Sequence, residues 1–154
     1  MKTFYELQEG LNDPNIFKAF FLAGGPGSGK SYVVRKTTGG TGLKVVNSDD
    51  AFEKLLKDAG LSLKMPADEA EPRDAVRGKA KALTSKSKGN YLDGRLGLVI
   101  DGTGRDYDKV SKEKKDLENL GYDCYMIFVN TSLDVALERN IDRERSVPED
   151  IVIK

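Results

Sequence analysis

The sequence predicts a three-layer α/β fold with a mainly parallel sheet of four to five strands, and three observations lead to that prediction. Short, dense apolar runs recur along the chain, and they alternate with longer stretches of helical character. Glycines stand at the ends of most of these runs, where the chain must turn. Strands that are buried on both faces and alternate with helices are typical of a parallel sheet covered on both sides.

Each element can be assigned in chain order. Four strands are predicted from the apolar runs at residues 16–23, 43–47, 96–100 and 122–129. Helices are predicted at residues 30–35, 49–57, 73–88, 107–120 and 132–140. Residues 62–72 contain two prolines and three acidic residues, which predicts a mobile loop or the edge of a lid. A chain of 154 residues has room for one compact domain, so we expect residues 1–154 to form a single unit.

Composition narrows the range of chemistry. Apolar residues make up 38% and charged residues 32% of the chain, a balance typical of a globular protein. No apolar run is long enough to span a bilayer, and no secretory signal is visible. We therefore expect a cytoplasmic protein without membrane contact. There is no histidine, which excludes histidine-based triads and HExxH zinc sites and leaves acid–base work to carboxylates or lysine. Cys124 is the only cysteine and is predicted to be a buried, inert thiol. The net charge is zero, so the whole protein does not attract nucleic acid electrostatically.

The stretch GGPGSGKS at residues 24–31 fits the phosphate-binding pattern GxxxxGK[ST], directly after one predicted strand and at the start of a helix. Glycines let successive N–H groups point inward, and the helix N-terminus adds partial positive charge, so such a loop wraps a polyphosphate. Lys30 is expected at the β and γ phosphates and the Ser31 hydroxyl on Mg²⁺. The residues expected to bind the nucleotide are Gly25, Pro26, Gly27, Ser28, Gly29, Lys30 and Ser31. The motif predicts a P-loop NTPase fold that binds a nucleotide, without choosing among kinase, switch GTPase and motor ATPase. No Asn-Lys-x-Asp stretch is present to recognise guanine.

Carboxylates follow two of the predicted strands. Asp101 ends the third strand, where P-loop enzymes carry a second acid associated with Mg²⁺; the alternative is a turn-capping role. Asp49 and Asp50 follow the second strand, and Asp49 is the candidate general base for an acceptor hydroxyl. Helix capping is the competing interpretation of this pair, and the residues alone leave open which carboxylate is the base.

Three arginines follow the fourth strand, at positions 139, 143 and 145. Arginine matches phosphate oxygens and stabilises charge that develops during phosphoryl transfer, so the cluster is a candidate lid over ATP. A solvated helix with internal ion pairs is the alternative, because Asp142 and Glu144 stand among the arginines.

Four segments together resemble a known group of kinases. They are GGPGSGKS, VNSDDAF at 46–52, VIDGTG at 99–104 and LERNIDRERSVPEDIV at 137–152. In order and spacing they are similar to the kinase domain of phage-type polynucleotide 5′-kinase and to its zeta-toxin-like relatives. The resemblance implies that Lys30 and Ser31 act at the phosphates, that Asp49 is the general base and that Arg143 is the lid arginine. Arg139 and Arg145, from the same arginine cluster, are further candidates for binding the nucleotide.

The resemblance also bears on the acceptor. The polynucleotide kinases have an arginine where this chain has Phe52, whereas DGTGR at 101–105 is closer to zeta-toxin-like kinases, whose acceptors are nucleotide sugars. Arg105 and Asp50 are therefore candidate acceptor-binding residues. Kinases of this group usually continue with a further helix and strand, so a chain that ends at Lys154 is expected to be a shortened domain.

A basic segment lies between the second and third strands. Residues 73–95 hold seven basic and two acidic residues, and the predicted helix puts Arg73, Arg77, Lys81 and Lys88 on one face. Val76, Ala80 and Leu83 are predicted on the apolar face. The stripe either contacts a nucleic-acid acceptor or is a solvated surface.

The sequence thus predicts an ATP- and Mg²⁺-dependent kinase that phosphorylates a hydroxyl, of a polynucleotide 5′ end or of a nucleotide-like molecule. The alternatives are a kinase that acts on a nucleotide sugar and a non-catalytic ATP-binding module. No protein partner is evident from the residues.

Overall fold

The computed structural model describes Asp13 and residues 15–142. The strands are β1 (Lys18–Ala23), β2 (Lys44–Val46), β3 (Leu98–Asp101) and β4 (Asp123–Phe128). The helices are α1 (Lys30–Thr38), α2 (Ser48–Asp58), α3 (Ala70–Asp93), α4 (Tyr107–Asn119) and α5 (Leu133–Asp142). All four predicted strands and all five predicted helices are present, with ends that differ by a few residues.

The four strands form one sheet in the order β2-β3-β1-β4, and every strand pair is parallel. The predicted α/β fold with a parallel sheet is therefore confirmed. After β1 the chain passes over to β2 at the far side, returns to β3 and then crosses to β4 on the other side of β1. The strand order thus reverses between β3 and β1, and ligands in such sheets bind beyond the carboxyl ends of the strands at that position.

Helices cover both faces of the sheet. On one face, Ala19 and Leu98 pack with Leu117 of α4, and Leu92 of α3 lies against the same cluster. The opposite face packs Leu22 and Val99 against Val34 of α1. The alternation follows from the side chains of successive strand residues, which point to opposite faces of a sheet.

A second core lies away from the sheet, between α2 and α3. Phe52 and Leu56 of α2 are 1% and 0% exposed, and they pack against Val76 and Ala80 of α3. The guanidinium of Arg77 stands over the Phe52 ring at 4.3 Å from its centroid, which shields the ring on its outer side. This cluster holds α2 to α3 and so fixes the start of α2 relative to the cavity described below.

Two predictions about the α3 region were wrong. Residues 62–72 are not all loop, because a 3-10 turn occupies Ala67–Glu69 and α3 begins at Ala70. Pro72 is accommodated in the first turn of α3, where a backbone N–H would have no partner within the helix. Leu83 is 52% exposed and does not belong to the buried face. The inward row of α3 follows a spacing of four residues, so Thr84 and Lys88 are half-buried in its place.

Cys124 is half-buried on β4, so the prediction of a buried thiol was too strong. Its partial burial still raises the pKa of the thiol, and the nearby Glu118 carboxylate acts in the same direction. In the part of the chain that the structure describes, no helix has the length and apolar character needed to cross a membrane.

Candidate active site

The loop between β1 and α1 has the backbone shape that its glycines allow. Gly27 and Gly29 have φ values of 78° and 96°, in the left-handed region that favours glycine. A Cβ atom on Gly27 would meet the carbonyl oxygen of Ala136 in α5, and one on Gly24 would lie 2.8 Å from the Ser28 hydroxyl oxygen. The loop is therefore packed closely on its inner side by α5 and by its own Ser28.

The N-terminus of α1 suits an anion. Gly29 is the N-cap, no side chain makes a capping hydrogen bond and the first turn contains no acidic residue. Backbone N–H groups at such an end, together with the partial positive charge of the helix, favour phosphate. Ser31 lies exposed in this first turn, where its hydroxyl is accessible to a metal bound with the nucleotide.

Lys30 folds back over the loop. Its Nζ atom donates to the carbonyl oxygens of Gly24 at 2.6 Å and of Gly25 at 2.9 Å. The ammonium group is thus held above the same loop whose N–H groups would cradle phosphate. The backbone angles of the loop, the helix N-terminus without a side-chain cap and this lysine together fit a nucleoside triphosphate.

Arg139 is the one predicted lid arginine within the described residues. Its Nη1 atom lies 3.4 Å from the carbonyl oxygen of Gly27 and 3.5 Å from that of Ser28, which places its guanidinium on the phosphate-binding loop. Arg143 and Arg145 lie outside the residues that the structure describes.

One amide connects the ends of β2 and β3. The side-chain oxygen of Asn47 accepts from the backbone N–H of Asp49 at 2.8 Å and caps α2, as asparagine commonly does. Its Nδ2 atom donates to a carboxylate oxygen of Asp101 at 3.1 Å. Asp49 is half-buried in the first turn of α2, whereas Asp50 is exposed. Asn47 therefore sets the position of the predicted base relative to the predicted metal-associated acid.

The donor set for a metal is small. Among residues 13 and 15–142 there is no group of three or more histidine, cysteine or acidic residues placed to hold a metal ion. Mg²⁺ often binds through one or two protein ligands, with the rest from water and substrate phosphates. The Ser31 hydroxyl and the Asp101 carboxylate fit that kind of site, in which the nucleotide supplies the remaining ligands.

A cavity of about 400 Å³ opens at the carboxyl edge of the sheet, between α3 and α4. Its floor is a row of apolar side chains from all four strands, in register across the sheet: Val46, Ile100, Phe21 and Met126. Asp101 and Arg105 line its mouth, as does Ser48, which directly precedes Asp49. Asp49 and Asp50 themselves do not line the cavity as the described residues form it.

Of the four basic residues predicted on one face of α3, two make contacts within the fold and two line the cavity. Arg73 donates to the carbonyl oxygen of Pro66 at 2.8 Å, and Arg77 is occupied by the Phe52 ring. Only Lys81 and Lys88 of the four predicted residues line the cavity. Phe52, which stands where polynucleotide kinases have arginine, is part of the α2–α3 core and does not face the cavity.

Several site residues escaped the sequence analysis. Asn47 was visible as the asparagine directly before Ser48-Asp49-Asp50, a common N-cap pattern, but only the fold brings it to Asp101. Ser48, Thr84, Ser85 and Lys109 gave no signal, because nothing in their local sequence predicts a shared cavity.

Comparison with known proteins agrees with this geometry. The zeta toxin family profile matches residues 7–151 of the chain. No curated protein sequence matches it.

Solved structures with the same fold include a candidate kinase from Chloroflexus aurantiacus, at 19% identity and a TM-score of 0.65, over 87% of this chain and 69% of that one. The PezAT toxin–antitoxin structure from Streptococcus pneumoniae gives 21% identity and a TM-score of 0.59, over 80% of this chain and 51% of that one. A chain of the Pnkp1/Rnl/Hen1 RNA repair complex gives 20% identity and a TM-score of 0.64, over 94% of this chain and 44% of that one.

At such identities the likeness shows the fold, and this chain spans about half of the second and third proteins or less. The predicted resemblance to zeta-toxin-like and polynucleotide kinases is confirmed by the family match and by these neighbours. The chain belongs to the zeta toxin family, with the fold and phosphate-binding loop of a P-loop kinase.

Proposed function

We propose that this protein transfers the γ-phosphate of ATP to a hydroxyl group of a small, nucleotide-like acceptor held in the cavity between α3 and α4. The observation that supports this most is the cavity itself, which opens at the same sheet edge as the phosphate-binding loop and is lined by Asp101 and Arg105. Donor and acceptor would then meet where the strand order reverses, the usual ligand position in such sheets.

The residues of the donor side have distinct roles in this proposal. Backbone N–H groups of residues 27–31 hold the phosphates, and Lys30 moves from its carbonyl partners to the β and γ phosphates. Arg139, already on the loop, stabilises charge on the transferring group, as would the lid arginines Arg143 and Arg145. Bound Mg²⁺, held by Ser31 and Asp101, would neutralise charge on the phosphate oxygens.

Asp49 is the base in this proposal. The acceptor oxygen forms a bond to the γ-phosphorus, the bond from that phosphorus to the β–γ bridging oxygen breaks, and the hydroxyl proton passes to the Asp49 carboxylate. ADP leaves with the bridging oxygen. Asp49 is favoured over Asp50 because it is half-buried and its backbone is fixed by Asn47, whereas Asp50 is exposed. Asp50 remains a candidate contact to the acceptor, with Arg105.

Size and charge favour a small acceptor over a polymer. A cavity of about 400 Å³ is in the range of small-ligand sites. Two of the four arginines and lysines that might have followed a nucleic-acid backbone are engaged in the α2–α3 region instead. The neighbours include a toxin–antitoxin protein and an RNA repair protein, so both nucleotide sugars and polynucleotide 5′ ends belong in a test.

The experiment measures transfer of labelled γ-phosphate to nucleosides, nucleotides, nucleotide sugars and oligonucleotides with a 5′-hydroxyl. We expect transfer to at least one small acceptor, and a loss of roughly 100- to 10,000-fold in Asp49→Asn, the usual contribution of a general base. Asp50→Asn is the matched comparison, because it removes the neighbouring carboxylate: as a contact to the acceptor and not the base, it should raise KM for the acceptor while kcat stays near the wild-type value.

Two outcomes would contradict the proposal. Wild-type rates in Asp49→Asn would remove Asp49 as the base. Nucleotide binding that raises the melting temperature, with no Lys30-dependent transfer to any acceptor, would favour the non-catalytic ATP-binding alternative.

A further inference from the structure

One side-chain hydroxyl inside the phosphate-binding loop is buried without a partner. Ser28 is 6% exposed, and its side-chain oxygen has no hydrogen-bond partner among the residues that the structure describes. A buried hydroxyl that makes no hydrogen bond costs free energy, and native folds contain few of them. The Ser28 hydroxyl is therefore a spare donor inside the loop.

The Ser28 side chain lies against Gly24, at the start of the same loop. A Cβ atom built on Gly24 would be 2.8 Å from the Ser28 hydroxyl oxygen and 3.5 Å from the Ser28 Cβ atom. The carbonyl oxygen of Gly24 is partly buried and accepts from the Lys30 ammonium group at 2.6 Å. Lys30 thus occupies the acceptor of the residue that the Ser28 hydroxyl contacts.

The two carbonyl groups that hold Lys30 differ in what remains when it leaves. In the proposed function Lys30 moves from both of them to the phosphates. The Gly25 carbonyl oxygen lies at an exposed contact and also accepts from the backbone N–H of Ser28 at 3.3 Å, so it keeps a donor. The Gly24 carbonyl oxygen is less exposed, and Lys30 is the donor that the described residues give it. A partly buried carbonyl that loses its donor is costly.

The main chain of Ser28 is held independently of Lys30. Its N–H donates to the Gly25 carbonyl oxygen, and its own carbonyl oxygen lies 3.5 Å from the Nη1 atom of Arg139. Both contacts can persist when the lysine turns away. The Ser28 hydroxyl therefore stays beside Gly24 while the acceptor there becomes available.

We infer that Ser28 is a positioning residue for the occupied loop: when Lys30 turns to the β and γ phosphates, the Ser28 hydroxyl donates to the Gly24 carbonyl oxygen in its place. The inference rests on the donor side of the proposed function, in which Lys30 moves. One hydrogen bond is exchanged for another, and no covalent bond changes. The exchange lowers the cost of releasing Lys30 and so favours the loop with nucleotide bound.

The first test is a double-mutant cycle on the full chain without nucleotide, measured as melting temperature. In the wild-type background Ser28→Ala removes an unsatisfied buried hydroxyl, and we expect the melting temperature to rise by about 2–4 °C. Lys30→Met removes the ammonium group, so the Ser28 hydroxyl can bond to the Gly24 carbonyl oxygen even without nucleotide. Adding Ser28→Ala to Lys30→Met should then lower the melting temperature by about 2–4 °C.

Ser31→Ala is the matched control for this cycle, because it removes an exposed hydroxyl from the same motif. It should shift the melting temperature by the same amount in both backgrounds. A shift of the same sign for Ser28→Ala in both backgrounds would overturn the inference, since the hydroxyl would then have one fixed role in the fold.

The second test measures the affinity for Mg²⁺ with a non-hydrolysable ATP analogue by calorimetry. Ser28→Ala should weaken binding by about tenfold although it stabilises the nucleotide-free protein, because the occupied loop loses a hydrogen bond. Ser28→Cys keeps a similar shape and a weak donor, so it should retain part of the affinity. An unchanged affinity in Ser28→Ala would contradict the inference as well.

The inference and the proposed function fail in different ways. If the reversal of sign and the loss of affinity are observed but no acceptor is phosphorylated, Ser28 keeps this role and the proposed function fails. If phosphate transfer is observed and Ser28→Ala behaves alike in both backgrounds, the proposed function stands and the inference fails.

Discussion

The phosphate-binding loop takes its shape from main-chain atoms of one continuous stretch, whereas the cavity between α3 and α4 is assembled from side chains of four strands, three helices and the loop after β3. In the loop, glycines with positive φ and the end of α1 create the site, and the Lys30 side chain is bonded back to loop carbonyl oxygens at 2.6 and 2.9 Å. In the cavity, each wall depends on how helices pack on the sheet. A site made by backbone is sensitive to any added Cβ, and a site made by side chains is sensitive to the packing that aims them. The four predictions below test that difference.

In the proposed function the phosphate-binding loop is the donor side and the cavity between α3 and α4 is the acceptor side. The largest effect is expected on the packing of α2 against α3, which supports the acceptor side. Phe52→Ala removes a ring that is 1% exposed between α2 and α3, and we expect it to lower the free energy of unfolding by about 3–5 kcal/mol. Leu83→Ala on α3 is the control, because that side chain is 52% exposed and its loss should cost no more than about 0.5 kcal/mol. Urea denaturation measures both. Equal losses in the two variants would mean that α3 packs with a different face than the structure shows.

The backbone of the donor side is the next most sensitive feature. Gly27→Ala places a Cβ against the carbonyl oxygen of Ala136 at a φ of 78°, and we expect a loss of about 2 kcal/mol in the free energy of unfolding without nucleotide. Gly25→Ala is matched to it within the same loop, since no atom lies within 4 Å of its added Cβ. Gly25→Ala should therefore be nearly neutral in the same denaturation experiment. A neutral Gly27→Ala would show that α5 does not pack on the loop in this way.

A smaller effect is expected where the two sides join, at Asn47. Asn47→Ala removes both the α2 cap and the bond to Asp101, and should cost about 1 kcal/mol in stability. Asn47→Ser restores a good N-cap, but serine is too short to make the asparagine bond to Asp101. We expect the serine variant to recover stability and still to transfer phosphate more slowly, by about tenfold or more, because a hydrogen bond to the charged Asp101 carboxylate, worth roughly 1.5–3 kcal/mol, is lost. Full activity in Asn47→Ser would limit Asn47 to capping.

The smallest effect concerns Cys124, which lies on the face of the sheet that carries the cavity. Partial burial raises the pKa of its thiol, so the reactive thiolate is scarcer near pH 8 than in an unfolded chain. Alkylation by iodoacetamide at pH 8 should be a few-fold slower in the folded protein than in urea. Since the folded state holds this proton more tightly, the thiol's contribution to stability falls as pH rises from the ordinary thiol pKa through the raised one. Equal alkylation rates in both states would contradict the burial of Cys124.

The donor side was predictable from sequence because its information is local. The eight consecutive residues from Gly24 to Ser31 include the glycines that the loop conformation requires. The apolar strand before them and the helix after them identify the stretch as a phosphate-binding loop. The parallel sheet was also predictable, because each strand is a short apolar run that can be recognised from its own residues. Asp101 was placed at the ligand edge for a related reason, because it ends a strand, whereas Arg105 was named only through the resemblance of DGTGR to zeta-toxin-like kinases; both line the cavity.

The acceptor side was predictable only in part, because it depends on tertiary packing. Residues three or four positions apart both lie on the same face of a helix. The sequence pattern therefore predicted that Leu83, three residues after Ala80, belongs to the buried face of α3. In the fold, contacts follow the row of every fourth residue, and Lys88 turns inward there. Lys109 could not be connected to Lys81 at all, since 28 positions and one strand separate the two in the sequence, and only the packing of α3 and α4 on one sheet face makes them neighbours of one cavity.

The Lys88–Glu113 ion pair lies at the border between this cavity and a second one, of about 370 Å³, that continues between α3 and α4. Both residues line both spaces. The far end of the first cavity is thus closed by a polar contact that is partly open to water, and such a pair contributes no more than about 1 kcal/mol. If the proposed acceptor binds in this cavity, a longer molecule would have to displace only this ion pair, so it would still bind, with a modest loss of affinity.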